Sequence, residues 1–96
     1  MKVVVTKTAL KNFHQIVDYL VEKWGKTVGN HFERRSKSFL ELLADFPELG
    51  TEVNSEKKIR AFQLTKQTRV YYRIKQDRIL ILTFFDVRQD PNKLNF

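Results

Sequence analysis

The chain has 96 residues, no cysteine and a formal net charge of +7. That length supports one hydrophobic core, hence a single domain over 1–96, and 42% hydrophobic residues with eight phenylalanines exclude a disordered chain. Disulfide and thiol chemistry are excluded, and no apolar run approaches the length of a membrane span. Met1 to Thr6 carries no signal-peptide pattern, because a polar helical segment follows it directly. With no cysteine, the chain suits a reducing cytoplasm, where it is expected to work.

Lys2 to Val5 reads as a first strand. Thr6 or Thr8 can cap a helix, since a threonine hydroxyl accepts from an orphan N–H of the first turn. Leu10, Phe13, Val17, Leu20 and Trp24 then recur at three- and four-residue steps and mark one helix face, which Gly25 ends. On a second helix Val28, Phe32, Phe39, Leu43 and Phe46 mark the buried side, and Pro47 stops it. The short link at Gly25 predicts an antiparallel helix pair. Glu52 to Lys57 reads as a polar loop. Strands are expected at Ile59–Thr65, Arg69–Lys75 and Arg78–Phe85, with a tight turn at Gln76-Asp77. Ile79 to Leu82 is apolar without alternation, which marks an inner strand covered on both faces. The helices can cover one face; the chain's own tail or a partner must cover the other.

Two patterns point to function. Arg69, Tyr71, Arg73 and Lys75 fall on one side of their strand, and Val70, Tyr72 and Ile74 on the other. This is a basic face carrying an aromatic, suited to nucleic acid or an acidic protein segment, although a charged outer face also serves solubility alone. The charge is also lopsided. Residues 55–96 hold ten Lys/Arg against four Asp/Glu, and so carry +6 of the +7. An anionic partner follows, and a membrane surface is the weakest candidate because the cations lie on strands rather than an amphipathic helix.

Catalytic constellations are sparse. His14 and His31 sit on different predicted helices without zinc-ligand spacing, Asp77 and Asp90 read as turn residues, and Asp86 alone makes no metal site. No metal or cofactor is expected. A metal-free ribonuclease would need cations on the phosphate plus an acid and a base. Lys58, Arg60, Arg69, Arg73 and Arg88 supply cations, but no histidine or glutamate near them stands out as a proton carrier, and Tyr72 faces the core side. The charged stretch Glu33-Arg34-Arg35 with Lys37 reads as a solvated helix face.

The order of elements, with Val3-Val4-Val5, Ala9-Leu10, Ile16 to Leu20, Phe46-Pro47-Glu48-Leu49-Gly50, Val70-Tyr71-Tyr72-Arg73-Ile74 and Phe85-Asp86-Val87-Arg88-Gln89-Asp90-Pro91, resembles the RelE/ParE superfamily of bacterial toxin–antitoxin toxins, also labelled plasmid stabilisation proteins. The resemblance implies an α+β fold of βααβββ order, an antiparallel sheet with a helical hairpin on one face. It implies an acidic antitoxin encoded next to the chain, and a toxin–antitoxin hetero-oligomer. Members divide in activity: RelE-like toxins cleave mRNA in the ribosomal A site, and ParE-like toxins inhibit DNA gyrase. In the RelE-like branch Lys58, Arg60, Arg69 and Arg88 match the residues that hold and stabilise phosphate. The branch's C-terminal tyrosine base has Asn95 or Phe96 as its counterpart here, and neither accepts a proton. The expectation is therefore a ParE-like toxin that binds its target, leaning away from catalysis, with target contacts at Lys58, Arg60, Arg69, Tyr71, Arg73, Lys75 and Arg88. The alternatives are a ribosome-dependent mRNA endonuclease and a non-toxic nucleic-acid-binding or degenerate family member.

Overall fold

The computed structural model describes residues 1–94 and 96. Its elements run β1 (Lys2–Val5), α1 (Lys7–Trp24), α2 (Lys26–Asp45), β2 (Thr51–Asn54), β3 (Ile59–Gln63), β4 (Thr68–Lys75) and β5 (Arg78–Asp86), then a single 3₁₀ turn at Pro91–Lys93. The strands form one sheet of order β1-β5-β4-β3-β2. The last four strands are an antiparallel meander, and β1 joins β5 in parallel with Val3 beside Ile79 and Val5 beside Ile81. The α+β class and the helical hairpin on one sheet face are as the sequence implies.

Thr6 is the helix cap: its hydroxyl accepts the Ala9 N–H at 3.2 Å and donates to the Ile81 carbonyl at 2.7 Å. One side chain thus starts α1 and fixes it to β5. Gly25 has φ of 96° and serves as the end of α1 and the start of α2, a conformation that a side chain would strain. Phe46 leaves the helical region before Pro47, with φ −130° and ψ 78°.

The main core lies between the hairpin and the sheet. Phe32, Phe39 and Leu43 of α2 meet Val70, Tyr72, Ile79, Ile81 and Phe84, with Phe13, Ile16, Val17 and Leu20 packed on from α1. Phe39 stacks on Phe62 at 4.5 Å between ring centroids. A fully buried side chain of this size contributes about 1.5–3 kcal/mol. A smaller cluster of Ile59, Ala61, Tyr71 and Phe85 forms on the opposite face, joined by Leu82 and Leu94.

Four expectations need correction. Thr51–Asn54, expected to fall in or beside a polar loop, is an edge strand paired with β3. An edge strand needs little apolar content, since half its hydrogen bonds and most of its surface face water. Leu10 and Trp24, placed on the buried face of α1, are 47% and 63% exposed. Ala9 and Ile16 take the inward positions instead, so the true stripe is rotated from the expected one. Val28 and Phe46, expected on the buried side of α2, are also exposed. Arg35 is not merely solvated, because its Nε donates to the Leu64 carbonyl and ties α2 to the β3–β4 turn.

Candidate functional site

The alternation read along β4 is present. Val70, Tyr72 and Ile74 pack toward the helices, and Tyr71 packs on the outer face. Arg69 and Arg73 are half-buried, and Lys75 is exposed at the end of the hairpin. Tyr71 is not an open stacking ring. It is 7% exposed, with Phe85 edge-on at 6.2 Å and the Phe96 ring at 5.2 Å. The Arg69 guanidinium lies 5.7 Å from the Tyr71 ring centroid, a cation–π arrangement. The Arg69 Nε is buried and has no hydrogen-bond partner among the described residues.

The four cations that the resemblance assigns to phosphate do not form one cluster. Lys58 is exposed in the β2–β3 turn with φ of 56°, and its carbonyl accepts the Ile74 N–H. Arg60 alternates with Ile59 and Ala61, so it faces the helix side. There its Nη1 donates to the Gly50 carbonyl at 2.6 Å and the Glu48 carbonyl at 3.3 Å. Arg60 therefore holds a turn instead of the outer face. Arg88 follows β5 and meets Asp86 in a two-pronged ion pair, Nε to Oδ1 at 2.9 Å and Nη2 to Oδ2 at 2.6 Å. The Arg88 hydrogen bonds hold the Asp86 carboxyl below the usual range, and Asp86 in turn raises the Arg88 guanidinium. Of that set, Arg69 lies beside Tyr71 of the outer face.

Tyr72 is unsuited to proton transfer. Burial pushes its hydroxyl upward, more strongly than the Gly50 N–H bond and nearby Arg60 pull it down. Its hydroxyl accepts that N–H at 2.8 Å and donates to the Pro47 carbonyl at 2.8 Å, so both directions are used. No group of three His, Asp or Glu suited to a metal ion occurs among the described residues.

An open groove passes from α1 around the end of β5 onto the outer face. Arg73, Arg88, Lys57 and Lys93 line it, with Leu94 and Phe96 of the tail. Lys57 and Lys93 were not singled out from the sequence. The Lys57 Nζ donates to the Phe96 carbonyl, a long-range contact without a local sequence signal. Asn95, one of the two candidate counterparts of a tyrosine base, lies outside the described residues; Phe96 is the other and has no hydroxyl. No helix among the described residues is long and apolar enough to cross a membrane.

Comparison with known proteins agrees with this architecture. The structure is similar to the chromosomal ParDE TA system from P. aeruginosa, with a TM-score of 0.76 and 18% identity over 90% of this chain and 95% of that one. It is also similar to a YoeB/ParE toxin from Agrobacterium tumefaciens, with a TM-score of 0.64 and 12% identity over 90% and 98% of the two chains. At those identities the likeness is one of fold. No curated protein matches the sequence. The family model described as the ParE toxin of the type II toxin–antitoxin system, parDE, matches residues 3–91, nearly the whole chain, which therefore belongs to the ParE family of type II toxins.

Proposed function

We infer that the chain inhibits DNA gyrase by binding it, and that an acidic antitoxin encoded beside it neutralises it in a toxin–antitoxin hetero-oligomer. The reading places the chain in the cytoplasm with its target. One observation carries the choice of binding over cleavage: two of the four candidate phosphate cations, Arg60 and Arg88, are committed elsewhere. Arg60 holds the Gly50 turn, and Arg88 is paired with Asp86. General acid–base catalysis, typically worth ~10²–10⁴-fold, has no evident carrier in such an arrangement. The family match and the +6 carried by residues 55–96 support a toxin with an acidic partner.

The test runs two assays in parallel. Purified gyrase supercoils relaxed plasmid in the presence of the chain, with and without the product of the neighbouring reading frame. Translating ribosomes are probed for codon-specific mRNA cleavage by the same preparation. Loss of supercoiling, restored by the neighbour, supports the reading. A-site cleavage without any effect on gyrase replaces it with the ribonuclease.

A further inference from the structure

The segment from the end of α2 to the β2–β3 turn has the opposite charge from the rest of the chain. Residues 41–56 hold five carboxylates and no Lys or Arg, so they carry −5 in a chain of net +7 and leave +12 to the remainder. Asp45 is the last residue of α2, one helical turn after Glu41, and the last turn holds no basic residue. The negative end of a helix dipole disfavours carboxylates there and favours cations. The Met1 ammonium donates to the Ala44 carbonyl at 2.8 Å. Among the described residues Glu41, Asp45, Glu48 and Glu56 enter no ion pair, and Glu52 reaches Arg60 only at 4.0 Å. Eighteen Lys and Arg elsewhere in the chain thus leave these carboxylates unpaired.

Apolar side chains are interleaved with the acids. Leu42 and Phe46, one helical turn apart, are 45% and 59% exposed. A cleft opens beside Phe46. Half-buried Pro47, Leu49 and Ile74 form its floor, and the exposed Asp45, Phe46 and Glu48 form its rim.

We propose that this cleft receives an arginine side chain from a basic segment of a partner protein. The aliphatic stem lies along Phe46 and Leu49, since long basic side chains cover apolar surface while keeping their charge in water. The guanidinium meets the carboxylates of Asp45 and Glu48, and its planar fork suits carboxylates better than a lysine ammonium does. Charge complementarity selects this occupant. An acidic partner is repelled here, so the inference goes beyond the antitoxin reading and does not depend on it. Two copies of the chain facing each other across a two-fold axis would oppose acid to acid. A metal ion is not favoured either, because no group of three His, Asp or Glu suited to one occurs among the described residues.

The probe is a fluorescein-labelled peptide of alternating arginine and glycine, titrated into the full chain at low salt and read by polarisation. A cationic peptide is repelled by the net charge of +7, so its binding requires a local anionic surface. Asp45→Asn with Glu48→Gln should weaken binding about three- to tenfold, the range for two exposed ion pairs. Glu22→Gln with Glu33→Gln makes the same change in net charge on exposed helix positions and should leave binding nearly unchanged. Phe46→Ala should also weaken binding, with far-UV circular dichroism unchanged in every variant. Failure of the peptide to bind the wild-type chain, or equal losses in the two double variants, overturns the site. Indifference to Phe46→Ala overturns the cleft as the seat of the side chain. Sedimentation of the chain alone at low salt tests the remaining occupant. Self-association that Asp45→Asn with Glu48→Gln abolishes would give the site to the basic part of a second copy and overturn the partner assignment.

Discussion

Arg60 and Tyr72 stand opposite one another on β3 and β4 and grip the same turn. The Tyr72 hydroxyl bonds the Gly50 N–H and the Pro47 carbonyl, and Arg60 takes the Gly50 and Glu48 carbonyls. The turn after α2 is thereby tied to the centre of the sheet. Space there is tight: a Cβ on Gly50 would meet the Ala61 carbonyl oxygen at 2.7 Å and the Tyr72 hydroxyl at 2.9 Å.

Removing the Tyr72 hydroxyl leaves a buried N–H without its acceptor. Tyr72→Phe should destabilise the chain by about 1–3 kcal/mol, measured as a lower urea midpoint at unchanged m-value. The pH dependence follows from the raised Tyr72 hydroxyl. A group that holds its proton more tightly when folded stabilises fully below its unfolded pKa, about 10 for tyrosine, and loses that contribution as pH rises through the folded value. The stability difference between wild type and Tyr72→Phe should therefore shrink above about pH 10. A difference that grows there contradicts the assignment.

The rotated stripe on α1 makes a paired prediction. Phe39→Ala removes a ring that is 4% exposed, stacked on Phe62 and edge-on to Tyr72, and should cost about 3–5 kcal/mol. Trp24→Ala removes a larger ring that is 63% exposed and should stay within about 0.5 kcal/mol. Comparable losses in thermal melts would place Trp24 in the core after all.

Much of this was legible in the sequence where periodicity is strong. The β4 alternation and the Gly25 break rest on local rules and stand as read, and of the two candidate caps Thr6 and Thr8 it is Thr6 that starts the helix. The same alternation, continued onto β3, would have put Arg60 with Phe62 on the helix side and away from Tyr71. The assignment by resemblance obscured that. Thr51–Asn54 escaped notice because an edge strand with three exposed residues has no apolar signature. The Arg88 pairing has a local signal, an aspartate two residues earlier in a turn. The Lys57–Phe96 contact spans 39 residues and has none.

The Asp86–Arg88 pair can be opened without removing the cation. Asp86→Asn keeps an oxygen for the Arg88 backbone N–H, now bonded at 2.9 Å, but releases the guanidinium for other anions. It also adds one unit of net charge, so Glu56→Gln is the control, since Glu56 is exposed and makes no ion pair among the described residues. On heparin, Asp86→Asn should elute at higher salt than Glu56→Gln. Equal elution would mean that Arg88 was already free to bind. Lowering the pH should act in the same direction. The Asp86 carboxyl is depressed when folded, so its contribution is present above the unfolded pKa and fades only as pH falls through the lower, folded value.

The last prediction separates cations that bind a target from those that build the fold. Arg60 and Arg73 lie on neighbouring strands but on opposite faces of the sheet. Arg60 has a 19% exposed side chain and a 2.6 Å bond to the Gly50 carbonyl. Arg60→Ala should lower stability by about 1.5–3 kcal/mol, the range for a hydrogen bond to a charged group. Its effect on gyrase inhibition should be no larger than the loss of folded chain accounts for. Arg73 lines the open groove and makes no such bond to the turn. Arg73→Ala should leave the melting midpoint nearly unchanged and weaken inhibition of supercoiling by about tenfold or more, the loss of one ~1.4 kcal/mol contact. Measuring both variants by chemical denaturation and by supercoiling gives two independent axes. If Arg60→Ala abolishes inhibition at full stability while Arg73→Ala does nothing, the target contacts lie on the Gly50 turn and not on the outer face.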